Sequence, residues 1–327
     1  MALHNRFSTT VLRKEALLMG INAFIFPGQG SQSPGMGKEL ADNFTVAKDI
    51  FSEADDALGM RLSKICFEGP EDDLKLTANT QPAILTTSIA ALRVLQQETG
   101  LTALCMAGHS LGEFSALVAA GTMGFSDAVR TVRARGTYMQ EAVPVGVGAM
   151  AAILGVEPAE LDDICREASG GEVVSPANFN SPGQIVIAGN TGAVNRAIEI
   201  AKGRGYRKAM LLPVSAPFHC TLMKPAAERL SATLSNVTFA PLTTPVVTNV
   251  EALPNSDAAR VSDLLVRQVC APVRWNDSVV KMIEMGVERF IEIGPGKVLC
   301  GLVKRISKDA ATANLEDSAS LKALLGS

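Results

Sequence analysis

No two cysteines in this 327-residue chain stand at C-x-x-C spacing, and no cysteine–histidine cluster has metal-ligand spacing. The six cysteines, at 66, 105, 165, 220, 270 and 300, are scattered. That pattern argues against a structural zinc and predicts reduced thiols in a cytoplasmic setting. The chain also lacks a surplus of positive charge: 30 Lys and Arg face 33 Asp and Glu, a net charge of -3, so nucleic acid is not the expected partner. Long hydrophobic runs are absent as well. The most apolar stretch, Ala142 to Leu154, is broken by Pro144, Gly146 and Gly148 and is too short to cross a bilayer. There is no signal-peptide core, no internal repeat and no low-complexity segment, which leaves a membrane protein and a solenoid without support. Histidine is scarce, with only three.

What is present points to a globular enzyme-sized fold. With 47% hydrophobic and 19% charged residues, the chain can bury a large core, as one big domain or two ordinary ones. Residues 1–18, with Arg6, Arg13 and Lys14 against Glu15 and followed by Met19, read as a flexible N-terminal extension. Short apolar runs then alternate with longer amphipathic ones, the signature of an α/β fold with a helix-covered sheet. Ile21–Phe26 reads as a first buried strand, Gln81–Glu98 as a helix, Leu104–Ala107 as a central strand and Leu111–Ala120 as a helix stopped by Gly121. From Gly148 to Pro213 the order becomes βαββαβ: strand 149–154, helix 158–168, strands 173–177 and 185–188, helix 191–202, strand 208–213. This is the ferredoxin-like unit, expected as a small domain over 148–213 inserted into a large domain made of 19–147 and 214–327. Arg289–Ile293 reads as a late strand ending at Gly294-Pro295-Gly296.

Gly108-His109-Ser110-Leu111-Gly112 fits G-x-S-x-G between a predicted strand and a predicted helix. Such a turn holds a serine hydroxyl out above the sheet, where the N–H groups of the following helix can meet an oxyanion. A serine nucleophile needs a base. His4 lies in the tail and His109 lies in the turn itself, where packing or a supporting hydrogen bond is its expected role, so elimination leaves His219 in Pro217-Phe218-His219-Cys220. No carboxylate among Asp257, Asp263, Asp277 and Glu292 stands out as a third member, and a main-chain carbonyl could orient the imidazole instead. Cys220 is the rival nucleophile, but it lacks a glycine turn and reads as a small core residue. The loop Gly28-Gln29-Gly30-Ser31-Gln32 follows the first strand but has Ser33 in place of a third fingerprint glycine and no Walker lysine. Its backbone N–H groups are better read as facing the nucleophile.

Phe26–Gln32, Gly108–Glu113, Asn178–Gln184, Pro217–Cys220 and Glu292–Gly296 resemble, in order, successive blocks of the malonyl-CoA:acyl-carrier-protein transacylases of fatty-acid synthesis, over roughly Ile21 to Ser307. The resemblance implies an α/β-hydrolase-like large domain carrying the ferredoxin-like insertion. It implies Ser110 as acyl carrier, His219 as proton shuttle, the main-chain N–H groups of Gln29 and Leu111 as oxyanion donors, and the main-chain carbonyl of Gln268 as the group orienting the histidine. Arg135 is matched to the arginine that pairs with the malonyl carboxylate, and Phe218, beside the base, is expected to crowd a branched α-carbon. The implied reaction uses malonyl-CoA as substrate and acyl carrier protein as partner, with no permanently bound cofactor or metal, in a monomer. Arg204, Arg207 and Lys208 are the expected docking patch for the acidic carrier. A carboxylesterase or thioesterase, in which water attacks the acyl-enzyme, and an inactive carrier-binding module are the competing readings. Nucleotide binding through the Gly28–Gly35 loop is the weakest.

Overall fold

A computed structural model describes residues 21–214 and 216–326. The expected flexible tail over 1–18, with His4, lies outside the described residues. Among the described residues ten strands form two sheets. Strands β1 (Asn22–Phe26), β2 (Cys105–Gly108), β7 (Val246–Val247), β8 (Pro254–Asn255), β9 (Arg289–Ile293) and β10 (Ala311–Leu315) build the larger sheet in the order β10-β9-β1-β2-β7-β8. All its pairings are parallel except the short β7–β8 edge. The central strands β1, β2 and β7 are buried on both faces, which is why β1 reads as a nearly unbroken apolar run. Side chains alternate between faces. Phe24 and Phe26 enter one apolar core, with Leu85, Ile89 and Phe114. Ala23 and Ile25 enter a second, with Trp275, Val279 and Phe290.

The second sheet is antiparallel throughout, with β3 (Gly148–Leu154), β4 (Val174–Ser181), β5 (Gln184–Asn190) and β6 (Ala209–Leu211) in the order β4-β5-β3-β6. Helices Pro158–Ser169 and Thr191–Gly203 connect it in the expected βαββαβ sequence. Together they enclose a separate core of Ile153, Leu161, Ile164, Ile187, Val194 and Ile198.

Several boundaries differ from the sequence reading for local reasons. The β4–β5 hairpin is longer than expected because Pro182-Gly183, with Gly183 at a φ of 66°, closes it as a two-residue turn. Strand β6 is shorter, ending before Pro213, which has no N–H to donate to a ladder. The central helix starts at Thr77 instead of Gln81 and runs to Glu98, and the helix after the serine spans Gly112–Ala119, with Gly121 beyond it at a φ of 74°. The recognisable blocks stop near Ser307, yet the chain beyond is folded: β10 extends the large sheet and helix Ser318–Leu325 closes over it with an Asp317–Ser320 capping box.

Candidate active site

The site lies at the C-terminal ends of the neighbouring parallel strands β1 and β2, where Phe26 is in register with Gly108. Such crevices are where open α/β sheets bind ligands. Between β2 and helix Gly112–Ala119 the chain turns through Ser110 at a φ of 51°, a left-handed conformation that costs a non-glycine residue energy. Two glycines allow the turn. A Cβ on Gly108 would lie 1.9 Å from the Gly112 carbonyl, and one on Gly112 would lie 2.1 Å from the Phe26 carbonyl oxygen.

Asn249, at the end of β7, clamps the turn from outside. Its Oδ1 accepts from the Ser110 N–H at 2.7 Å and its Nδ2 donates to the Gly108 carbonyl at 2.7 Å. The strained serine backbone is thereby held by hydrogen bonds on both sides.

His219 is also left-handed, with a φ of 61°, and is buried. Its Nδ1 sits 2.8 Å from the main-chain oxygen of Gln268. A carbonyl can only accept, so Nδ1 carries the proton and Nε2 is free to accept. Nε2 lies 2.8 Å from Ser110 Oγ. Burial, and then the positive charge of Arg135, push the imidazole pKa down to about 3, so the ring is neutral and able to take a proton at ordinary pH.

None of the four acids set aside earlier reaches this ring. Asp257 accepts from the Ala259 N–H, Asp263 and Asp277 pair with Arg267 and Arg274, and Glu292 accepts from the Leu299 and Cys300 N–H groups at the start of helix Val298–Ile306. Cys220 is buried with its Sγ on the Pro217 carbonyl, and burial raises its pKa to about 11, so it is a thiol and not a nucleophilic thiolate. His109 takes the supporting position expected of it: its Nε2 pairs with Asn180 Oδ1 at 2.8 Å, joining the serine turn to β4 of the small sheet.

Arg135 lies on helix Phe125–Glu141, whose Gly136 packs against the backbone of the central helix. A Cβ there would come within 2.6 Å of the Thr77 carbonyl, and this close approach sets Arg135 beside Gln81. The guanidinium is 1% exposed. It donates to Gln81 Oε1 at 2.8 Å from Nη1, and from Nη2 to Gln268 Oε1 at 2.9 Å and Ser110 Oγ at 3.0 Å. Ser110 Oγ thus faces a base on one side and a fixed cation on the other. The Nε–H of Arg135 has no protein partner.

Gln29, Ser110, Leu111, Arg135, Phe218 and His219 border one cavity of about 140 Å³, completed by Met139, Met150, Leu212 and Val214. Leu111 immediately precedes helix Gly112–Ala119, so its main-chain N–H belongs to the unpaired set at a helix start.

Sequence reasoning missed Asn249, Gln81 and the side chain of Gln268, none of which sits in a recognisable motif. Glu113 was in view as the last residue of Gly108–Glu113 but was given no role. Its carboxylate is 2% exposed, and burial raises its pKa to about 7 against the downward pull of its hydrogen bonds and of Arg135.

The expected docking cluster is only partly free. Arg207 and Lys208 are exposed ahead of β6, whereas Arg204 donates to Glu167 at 2.6 Å and lies 4.0 Å from Glu160. Among the described residues no group of acids, histidines and cysteines is arranged to hold a metal, and no helix is long and apolar enough to cross a membrane.

Residues 23–324 match the acyl transferase domain family. The chain is 51% identical over 303 residues to the malonyl CoA-acyl carrier protein transacylase of Salmonella typhimurium, covering 93% of this chain and 98% of that one. It is 50% identical to the Bacillus subtilis protein of the same name over 90% of this chain and 93% of the relative. Among solved structures, an acyl carrier protein S-malonyltransferase from Vibrio cholerae superposes with a TM-score of 0.91 at 49% identity, covering 93% of this chain and 99% of that one. A malonyl-transacylase in complex with a type II PKS acyl-carrier protein superposes with a TM-score of 0.92 at 47% identity, over 94% and 99% of the two chains. A matched segment that spans nearly the whole chain, at such identity, makes this protein a member of the malonyl-CoA:acyl-carrier-protein transacylase family.

Proposed function

We propose that the protein moves a malonyl group from malonyl-CoA to the phosphopantetheine thiol of an acyl carrier protein through a malonyl ester of Ser110. The observation that carries this reading is the position of Ser110 Oγ between His219 Nε2 at 2.8 Å and Arg135 Nη2 at 3.0 Å. His219 takes the serine proton as Oγ attacks the thioester carbonyl, and the oxyanion is held by the main-chain N–H groups of Gln29 and Leu111. His219 returns the proton to the departing thiolate, coenzyme A leaves, and the carrier thiol attacks the ester by the same path in reverse. Once Oγ is esterified it is a poorer acceptor, so Nη2 of Arg135 is released to join the unpartnered Nε–H in gripping the malonyl carboxylate. The apolar wall from Met139, Leu212, Val214 and Phe218 limits water, which favours transfer over hydrolysis. The reaction as written calls on no second subunit and no resident cofactor, and the working unit is proposed to be a monomer in the cytoplasm. Incubation with malonyl-CoA followed by intact-mass measurement tests the reading. A malonyl adduct on Ser110 that acyl carrier protein discharges is expected. An adduct that water discharges as fast without carrier would favour a thioesterase.

The same reading divides the chain into an α/β-hydrolase-like large domain, residues 21–147 and 214–326, and a ferredoxin-like small domain, residues 148–213. The β4-β5-β3-β6 strand order and the separate apolar core of the smaller sheet support this division. Carrier docking falls on the small domain, on the exposed cations Arg207 and Lys208 with Arg204 behind them. Strand β6 runs from this patch directly into Leu212 and Val214 of the cavity wall, which supports entry of the carrier's arm from this side. Arg207→Glu combined with Lys208→Glu should raise the KM for carrier about tenfold at low salt and much less at high salt, with malonyl-CoA loading unchanged. An equal fall in loading would move the patch to coenzyme A binding.

A further inference from the structure

The nucleophile, base and carboxylate-binding arginine meet at one residue, Gln268: His219 at its main-chain carbonyl, Ser110 and Arg135 at its side chain, and the orientation of that side chain is set from below by Glu113. Gln268 is completely buried. Its Nε2 donates to Glu113 Oε2 at 2.8 Å and to the Ser110 carbonyl at 3.0 Å, and its Oε1 accepts from Arg135 at 2.9 Å. The amide has one orientation that satisfies all three neighbours, because the Ser110 carbonyl can only accept and Arg135 can only donate, which leaves Glu113 Oε2 as the acceptor of the second amide N–H. Rotating it by half a turn would put oxygen against carboxylate and N–H against guanidinium. The same Glu113 Oε2 accepts from the Asn249 main-chain N–H at 3.0 Å, and the Asn249 side chain fixes the backbone of Ser110. One oxygen atom therefore underlies both the clamp on the serine turn and the seat of the arginine.

We propose that Glu113 is a positioning residue for acyl selectivity: through the Gln268 amide it aims the Arg135 guanidinium at the substrate carboxylate, and through Asn249 it holds the serine turn. This rests on the malonyl-transfer reading above. The arrangement gives a role to a carboxylate in the first turn of a helix that is buried from Gly112 to Val118 and, Ser115 apart, otherwise apolar. Arg135 and Glu113 attract each other across the amide without forming an ion pair, so the hydrogen-bonded oxygen is proposed as the part that sets the geometry.

The readout is the ratio of kcat/KM for malonyl-CoA to that for acetyl-CoA, which a purely structural role would not move. Glu113→Ala should lower this ratio roughly tenfold or more, the scale of one lost charge-assisted hydrogen bond. Glu113→Gln can present its amide oxygen to both donors and should keep the ratio within about threefold of wild type. In a Gln268→Met background, Glu113→Ala should leave the ratio where Gln268→Met alone puts it, because the path runs through that amide. Equal losses for both substrates in Glu113→Ala, or a Glu113→Gln ratio as low as that of Glu113→Ala, would overturn the proposal. If Glu113→Ala does not fold, Glu113→Asp, which withdraws the oxygen by one methylene, takes its place with the same expected fall. Wild type is the control on the parent reading: absence of a malonyl adduct on wild-type Ser110 would sink that reading, whereas a normal adduct with unmoved ratios sinks only the role of Glu113.

Discussion

Arg135→Ala is expected to lower kcat/KM for malonyl-CoA by roughly two to three orders of magnitude while leaving acetyl-CoA use unchanged or higher. The two substrates differ by one carboxylate, and the guanidinium is the buried cation at the nucleophile. Removing one partner from a buried charge pair typically costs ~3–5 kcal/mol, which converts to the stated loss in rate. Arg135→Lys should recover little, since a point charge on a flexible stem cannot keep bonds to Gln81, Gln268 and the substrate together. The fold should survive, because the Glu113 carboxyl, already pushed up to about 7 by burial, can take up a proton once its nearest cation is gone. Steady-state kinetics with both thioesters checks this, and an equal fall for both would return Arg135 to a structural role.

Ser110→Ala should abolish the malonyl adduct, and His219→Ala should slow its formation by roughly 10³-fold, because general-base assistance is worth about 10²–10⁴ and the two residues act as a unit. Rapid-quench mass measurement of loading separates the two variants. A Ser110→Ala protein that still loads at normal speed would show the nucleophile to be elsewhere. The depressed imidazole pKa adds a pH signature. With His219 neutral down to about 3, the loading rate should show no fall as pH drops through 6.5. Stability behaves differently: below about 6.5 the unfolded chain takes up a proton on this histidine that the folded chain refuses. His219 therefore lowers stability progressively as pH falls below that value and has no effect above it. Urea midpoints at pH 5 and pH 8, compared with those of His219→Ala, isolate the contribution.

The parts of this site that the sequence announced are those with a local signature. The serine turn needs glycines at Gly108 and Gly112 because backbone atoms occupy the space a Cβ would fill, so the requirement is written within five residues. Scarcity made His219 readable: with three histidines in the chain, elimination reached it. The α/β alternation and the βαββαβ order were visible because strand and helix periods differ. Asn249 and Gln81 were not visible, since a buried amide holding a turn from 139 positions away leaves no mark on its own neighbourhood. Within the large domain expected over 214–327, strand β10 was not singled out for a related reason: it is a half-buried edge strand, and its alternation is weak. The arginine patch looked like three free charges because the sequence does not show that Glu167 and Glu160 lie opposite Arg204.

The strand order has a consequence for how the protein is made. Strand β1 precedes the other strands of the large sheet, yet it lies in the middle of that sheet, and one of its two neighbours, β9, pairs Asn22 with Arg289, 267 positions later. A chain emerging from the ribosome therefore carries an apolar strand with an open edge until residue 293 or so is out. Loops that long close slowly. The residues of the serine turn are made early, but the Asn249 clamp lies 139 positions further on, and the carbonyl beside His219 and the amide beside Arg135 both belong to Gln268, 158 positions on. On the proposed roles a growing chain carries Ser110 long before it carries Gln268, and a chain cut before helix Val261–Cys270 is expected to keep the serine and form no malonyl adduct.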